Sequence, residues 1–261
     1  MSKKRQSPKL YPHRHPKAKI TTLAYDYADA EVLAPHFHSE DQWVFASQGV
    51  MTVTTEHGVW FVPPAKAVWI PARVIHSIRM SGPVAMRTLY FVPKFVKGLP
   101  ARCTVMNVSP LLRELTLHAC RFPKLSTRVA SEKRVIGLLL DELLVAGRIP
   151  LQLPLPTDPR AKRVAEALIG DPGDGRLLGE LCRGCGASKR TIERLFQEQT
   201  RLTLGRWRQQ LRMLQSIHKL VAGEKVITVA LEAGYQSPSA FIAAFRKILG
   251  TTPSLYGKGD A

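Results

Sequence analysis

Long apolar runs are missing from this chain. No stretch approaches the roughly 18 residues that a membrane-spanning helix needs, so no membrane partner is expected. Cysteine is scarce. Four residues, Cys103, Cys120, Cys182 and Cys185, in a chain of 261 do not make a secreted disulfide framework. Acid is also in short supply, with 20 Asp and Glu against 38 Lys and Arg, a formal charge of +18. The stretch Met1 to Ile20 has seven basic residues and no acidic one, and no apolar segment follows it, so a signal peptide is not expected. These absences point to a cytoplasmic, bacterial protein. The excess of positive charge suits an anionic partner, nucleic acid above all.

What is present divides by period. Residues 1–19 read as a basic, solvated tail. From Ile20 to about Val96, short runs rich in Val, Phe, Trp, Ile and Thr are separated by Gly and Pro turns, as in Trp43–Ala46, Val50–Thr55, Val59–Val62, Ala67–Ile70 and Met86–Val92. Many short, closely spaced strands predict a sandwich or small barrel over residues 20–105. The period then changes. Ser109-Pro110 predicts an N-cap and first turn of a helix to about Arg121, and a second helix runs from about Thr127 to Ala146. This segment, 106–148, is expected either to pair two copies of the chain through its leucine-rich face or to pack on the barrel's own exterior. The stretch 149–157, crowded with prolines, is extended by necessity and reads as an interdomain linker.

Residues 158–256 read as entirely helical, with helices at about Asp158–Ile169, Leu177–Arg183, Ser188–Thr200, Leu204–Ala222, Val226–Ala233 and Ser237–Leu249. Two segments repeat at a fixed offset: Ser188 to Phe196 matches Ser237 to Phe245, Thr203 matches Thr252, and Trp207 matches Tyr256. A short helix and a glycine-containing turn precede each copy. Helix, glycine turn and Ser-capped helix together are the sequence form of a helix-turn-helix, at about 177–200 and 226–249. A joining helix of about five turns would let two such units address successive segments of a major groove.

The segment Leu178–Tyr256 resembles the DNA-binding domain of AraC/XylS regulators. The matching residues are Ala187-Ser-Lys-Arg190, Leu195-Phe196, Val229-Ala230, Ala233-Gly-Tyr235, Ser237 through Arg246 and Gly250-Thr-Thr-Pro253. The resemblance implies that the first reading helix presents Ser188, Lys189, Arg190, Glu193 and Arg194 to DNA. Arg190 and Arg194 suit guanine, Glu193 suits cytosine, and Ser188 and Lys189 lie where phosphate contacts fall. The second helix offers Ser237, Ser239, Ile242, Arg246 and Lys247. Where relatives often place Arg or Gln, this chain has Ile242 and Ala243, so weaker base readout is expected there, with Arg246 and Lys247 as phosphate anchors.

In the β half, His36-Phe-His38 is followed by Gln42 and Gly49, and Pro71 precedes His76 by five positions. These pieces resemble the two cupin motifs, with Gln42 where metal-binding members usually have Glu. On a strand, His36 and His38 would point the same way, and a barrel would bring His76 across to them. Three imidazoles and Gln42 leave three readings open: a divalent metal site, a metal-free effector pocket, or structural histidines. Cys182-Arg-Gly-Cys185 has zinc-like spacing but no further ligands nearby, and is taken as packing.

The fold class expected is therefore a multidomain α and β protein, a cupin-like barrel with helices followed by an all-α double helix-turn-helix domain. The expected function is a sequence-specific transcription regulator and not an enzyme. Its expected partners are double-stranded DNA, a small-molecule effector, RNA polymerase and a second copy of itself. The rival is a metal-dependent cupin enzyme with an accessory DNA-binding module.

Overall fold

The computed structural model describes residues 18–170 and 178–257. The basic tail up to Lys17, with His13 and His15, and the expected helix start at Leu177 lie outside them. Strands occupy the first part of the chain: β1 (Ile20–Tyr27), β2 (Val32–His36), β3 (Asp41–Ala46), β4 (Val50–Thr55), β5 (Gly58–Val62), β6 (Lys66–Ile70), β7 (His76–Ser81), β8 (Val84–Phe91) and β9 (Thr104–Asn107). Then come α1 (Pro110–Ala119), β10 (Lys124–Leu125), α2 (Ala130–Val145), β11 (Arg148–Ile149) and β12 (Gln152–Pro154). The rest is helical: α3 (Pro159–Gly170), α4 (Leu178–Gly184), α5 (Lys189–Thr200), α6 (Leu204–Val221), α7 (Val226–Glu232), α8 (Pro238–Leu249) and α9 (Ser254–Gly257). Two compact units form, one from residues 1–51 and 62–149, the other from 52–61 and 150–261. No helix among the described residues is long and apolar enough to cross a membrane.

In the first unit a seven-stranded sheet runs β10-β1-β8-β3-β6-β9-β11, and each of its pairs is antiparallel. Strand alternation sorts its side chains. Trp43 and Phe45 on β3, Ala67 and Trp69 on β6, and Leu89 and Phe91 on β8 share one face with Ile20 and Met106. Against that face pack Leu112, Leu115 and Ala119 of α1 and Ile136, Leu139 and Leu143 of α2. Each such buried large side chain contributes about 1.5–3 kcal/mol. The intervening residues Gln42, Thr88 and Tyr90 turn to the opposite face and are buried there as well. Helix α1 starts as the sequence requires: Pro110 occupies its first turn, and the Ser109 hydroxyl accepts from the Leu112 amide. The same hydroxyl donates to the Glu142 carboxylate of α2 and ties the two helices together. Helix α2 thus packs on its own sheet, while Leu138, Leu144 and Val145 stay exposed.

In the second unit the stretch expected as a linker is extended, but it is not free. Leu151, Leu153 and Leu155 alternate and are all buried. Strand β12 pairs antiparallel with β5, with Leu153 opposite Val59. Two side chains of α6 fasten it from the other side: Trp207 Nε1 donates to the Pro154 carbonyl at 2.7 Å, and Gln210 Nε2 donates to the Gln152 carbonyl at 2.8 Å. Proline removes an amide donor, but an edge strand has one row of donors to spare, so prolines and sheet pairing coexist there. The end of β4 and strand β5 also meet α6, where His218 Nε2 lies 3.3 Å from Thr52 Oγ1 and its ring 5.6 Å from that of Phe61. Burial lowers the His218 pKa to about 4, so the ring is neutral.

The repeated segments fold alike. Helices α4 and α5 form one pair and α7 and α8 the other. Each turn contains a glycine in the left-handed region, Gly186 (φ +81°) and Gly234 (φ +82°), which a side chain would strain. Ser188 and Ser237 cap α5 and α8, accepting from the amides of Thr191 and Ala240. Between the pairs runs α6, 18 residues and about 27 Å long. It buries Leu204, Trp207, Leu211, Leu214, Ile217 and Leu220.

Candidate ligand pocket and nucleic-acid interface

The cupin-motif histidines converge. One ring nitrogen from each of His36, His38 and His76 lies within 4.8 Å of the others, and this is the cluster of metal-ligating side chains among the described residues. His36 and His76 meet because β2 and β7 place them directly opposite each other across an irregular register. His38 arrives by a different route from the one strand alternation predicts. It lies beyond the end of β2, in a loop fixed to the β6–β7 turn. The Arg73 amide donates to the His38 carbonyl at 2.7 Å, and the Ala72 amide to Asp41 Oδ1 at 2.8 Å. Arg73 adopts a left-handed φ of +65° to make this turn.

The rings are also set in protonation state. Nδ1 of His36 lies 2.7 Å from the Ala34 carbonyl and Nδ1 of His76 lies 2.8 Å from the Val74 carbonyl. A carbonyl can only accept, so each Nδ1 carries a proton, and a neutral ring then has its lone pair on Nε2. Nε2 of His76 is buried with no hydrogen-bond partner. Burial, reinforced by the neighbouring rings, lowers the His38 pKa to about 3. Burial lowers that of His76 to about 4. Both are neutral imidazoles at physiological pH, the form that binds a metal or accepts a hydrogen bond.

Gln42 borders the cluster through Tyr90. Its Nε2 donates to Thr88 Oγ1 and Tyr90 Oη, both at 3.2 Å, and the Tyr90 ring lies 4.9 Å from that of His38. Its buried Oε1 has no partner. Thr88 and Tyr90 were not singled out from the sequence. The signal for them is the period of β8, which sets both on Gln42's face.

A metal fits this donor set in kind. Divalent transition ions accept neutral imidazole, at about 2.0–2.1 Å, which needs nitrogens about 3–3.4 Å apart. The candidate ligand nitrogens of the three rings lie within 4.8 Å of one another. Two already have the backbone hydrogen bonds that orient metal-binding histidines.

In the helical unit the expected DNA-facing residues are at the surface. Ser188, Lys189, Arg190, Glu193 and Arg194 are exposed on α5, while Ile192, Leu195 and Phe196 are buried. Ser239, Ile242, Arg246 and Lys247 are exposed on α8 and Ser237 is half-buried as its cap. Two of the α5 charges have partners on the same helix. Arg194 holds both oxygens of Glu198 at 3.0 Å, and Lys189 lies 3.7 Å from Glu193. Such exposed pairs are worth about 0.3–0.5 kcal/mol, against about 1–3 kcal/mol of discrimination for a bidentate guanine contact, so these pairs are too weak to hold the side chains back from a partner of that kind. Cys182 is fully buried and Cys185 partly so, and neither joins a metal-ligand cluster among the described residues.

A β-rich domain with a convergent histidine cluster, followed by paired helix-turn-helix units, defines a ligand-binding transcription regulator with a cupin-like sensor. The AraC-like ligand binding domain family matches residues 17–169, and the helix-turn-helix domain family matches residues 181–259. The chain belongs to the AraC family of transcriptional regulators. It is 33% identical over 245 residues to the HTH-type transcriptional regulator NimR of Escherichia coli K12, covering 94% of this chain and 89% of NimR. It is 32% identical over 117 residues to RipA of Corynebacterium glutamicum, 45% of this chain and 35% of RipA. Among solved structures, ToxT of Vibrio cholerae aligns over 91% of this chain and 94% of its own at 13% identity, with a TM-score of 0.36.

Proposed function

We propose that this regulator is controlled through the pocket of His36, His38 and His76, and that a divalent transition-metal ion is the occupant to which these residues are best suited. The observation that carries this reading is the convergence of three imidazoles, two of them held by backbone carbonyls with a proton on Nδ1, which turns Nε2 toward the cluster as the candidate ligand atom. A bound ion would supply Lewis acidity and a fixed coordination point for a small ligand. Gln42 is held in place by its Nε2 donating to Thr88 and Tyr90, which leaves its Oε1 as a further candidate oxygen donor. Occupation of the pocket would then bias DNA binding by the paired helix-turn-helix units in the cytoplasm.

The reading is of a regulator because the matched families pair a ligand-binding domain with a helix-turn-helix domain and the similar NimR is a transcriptional regulator. The rival, a metal-dependent cupin enzyme, requires turnover in addition to stoichiometric metal. A metal-free organic effector is the second reading, favoured by the unpartnered Gln42 Oε1, which would accept from a ligand donor. Dimers would form through the apolar side of α2 left exposed by Leu138, Leu144 and Val145. RNA polymerase is the further partner expected of an activator.

Calorimetric titration and thermal melts with cobalt, nickel and zinc test the occupant. At a hundredfold excess over Kd, an ion that binds only the folded state stabilises it by about 2.7 kcal/mol. That gain should vanish in His76→Ala and His36→Ala. Equal melting temperatures with and without each metal in the wild type would reject the metal and leave the organic effector.

A further inference from the structure

The helical unit contains a cavity that the DNA-facing residues discussed above do not use. It has a volume of about 540 Å³ and lies between α6 and the turn that leads into α8. Gly205, Arg208, Gln209 and Arg212 line it from α6, and Gly234 and Gln236 from the turn. Ala240, in the first turn of α8, completes its rim. Two guanidinium groups one helical turn apart face it, and no carboxylate lines it.

Arg212 is held there by shape. A Cβ on Gly234 would sit 2.8 Å from an Arg212 guanidinium nitrogen, so the glycine gives the guanidinium room to lie across the turn. Arg212 has no ion pair or hydrogen bond among the described residues. The wall beside it is set by Gln209, whose Nε2 donates to Tyr235 Oη at 3.3 Å. Gly205 leaves the other side open, with nothing within 4 Å of where its side chain would be. Helix α6 also carries Arg206, Arg208 and Arg212 in its N-terminal half with no acidic residue along its length. Cations near a helix N-terminus oppose the helix dipole, so helix stability alone does not account for them.

We infer that this cavity receives a phosphate of the DNA backbone, clamped by Arg208 and Arg212. The inference rests on the assignment of α8 as a groove-entering helix. When such a helix enters the major groove, the flanking strand's phosphates pass its first turn and the preceding turn, which is where the cavity opens. Guanidinium groups are the side chains best matched to phosphate oxygens. The second unit has particular use for such a clamp, because Ile242 and Ala243 offer little base readout. The joining helix is then a DNA-binding element and not a spacer alone.

The test uses the full chain and a duplex that it selects from a random-sequence pool. Affinity is measured by fluorescence anisotropy across a salt series for the wild type, Arg212→Gln, Arg208→Gln and Arg212→Lys. Each Gln variant should weaken the selected duplex and its single-base variants alike, by roughly three- to tenfold. The slope of log affinity against log salt should fall by about 1. Arg212→Lys should restore the slope. A neutral methylphosphonate placed singly at phosphates beside the second half-site should, at one position, abolish the difference between wild type and Arg212→Gln, a comparison that does not depend on how well the variant folds. Unchanged slopes, or losses confined to particular base pairs, would overturn the inference while leaving the DNA assignment intact. Arg212-dependent binding of inorganic phosphate with no change in the DNA slope would assign the cavity to a free anion and overturn it too. A pool from which nothing is enriched would remove the assignment of α8 itself, and the clamp with it.

Discussion

The two helix-turn-helix units share one scaffold and clothe it differently. In both, a left-handed glycine makes the turn, a serine caps the second helix, and a buried phenylalanine, Phe196 or Phe245, anchors it to the core. Their exposed faces differ. Helix α5 presents Lys189, Arg190, Glu193 and Arg194, groups that match base edges and phosphates, whereas α8 presents Ser239, Ile242 and Ala243 followed by Arg246 and Lys247. Scaffold residues decide where a helix goes, and surface residues decide what it reads. On the proposed DNA assignment the first unit would read bases and the second would hold the backbone.

The largest effect expected tests the shared scaffold. Phe196→Ala and Phe245→Ala each remove a fully buried ring and should each cost about 3–5 kcal/mol in urea unfolding. A small loss at one and a large loss at the other would mean that the two units are not equivalent in construction.

The next effect concerns α6, which joins them. The His218 pKa is lowered from 6.5 to about 4 by burial. Above pH 6.5 the ring is neutral in both the folded and unfolded chain. As pH falls toward 4 the unfolded chain takes up a proton that the folded one excludes. Up to about 3 kcal/mol of stability is therefore lost across that window. Urea midpoints measured from pH 7.5 to 4.5 should fall more steeply in the wild type than in His218→Gln. Parallel curves would show that the ring is not buried as described.

Base readout should separate the units directly. Arg194→Ala should cost about 1–3 kcal/mol on the selected duplex and relax preference at one base pair. Ile242→Ala should cost under about 1 kcal/mol, the value of a methyl-sized contact. Gel-shift titrations that reverse this order would reverse the division of labour.

The smallest effect is at the helix ends. Arg201 and Gly250 terminate α5 and α8 in the same left-handed conformation, with φ of +62° and +71°. Glycine adopts it freely and arginine does not. Arg201→Gly should thus stabilise the first unit by roughly 0.5–1 kcal/mol in thermal unfolding, with Gly250→Ala destabilising the second.

Much of this organisation was legible in the sequence because it is carried by local rules. Serine caps, glycine turns and the spacing of Leu204, Trp207, Leu211 and Leu214 act within a few residues of themselves. The histidine pocket was legible as three residues but not as a geometry. His38 is positioned by a hydrogen bond from Arg73, and Gln42 is held by Thr88 and Tyr90, partners 46 and 48 residues away that only strand register brings close. The stretch at 149–157 is extended as its prolines require, but its pairing with β5 was not legible from them. Its alternating Leu151, Leu153 and Leu155 were the competing signal, a period of two that marks a strand with one buried face. The cavity at Arg212 had no sequence signature, since it depends on a glycine 22 residues further on leaving room for a guanidinium.

The central claim, that α5 and α8 contact one duplex together, is tested most directly by hydroxyl-radical footprinting of the full chain on its selected duplex. Two protected patches should lie on one face, about 10 base pairs apart, with sequence preference concentrated in the patch under α5. A single patch of protection, or two that fall on opposite faces of the duplex, would contradict it.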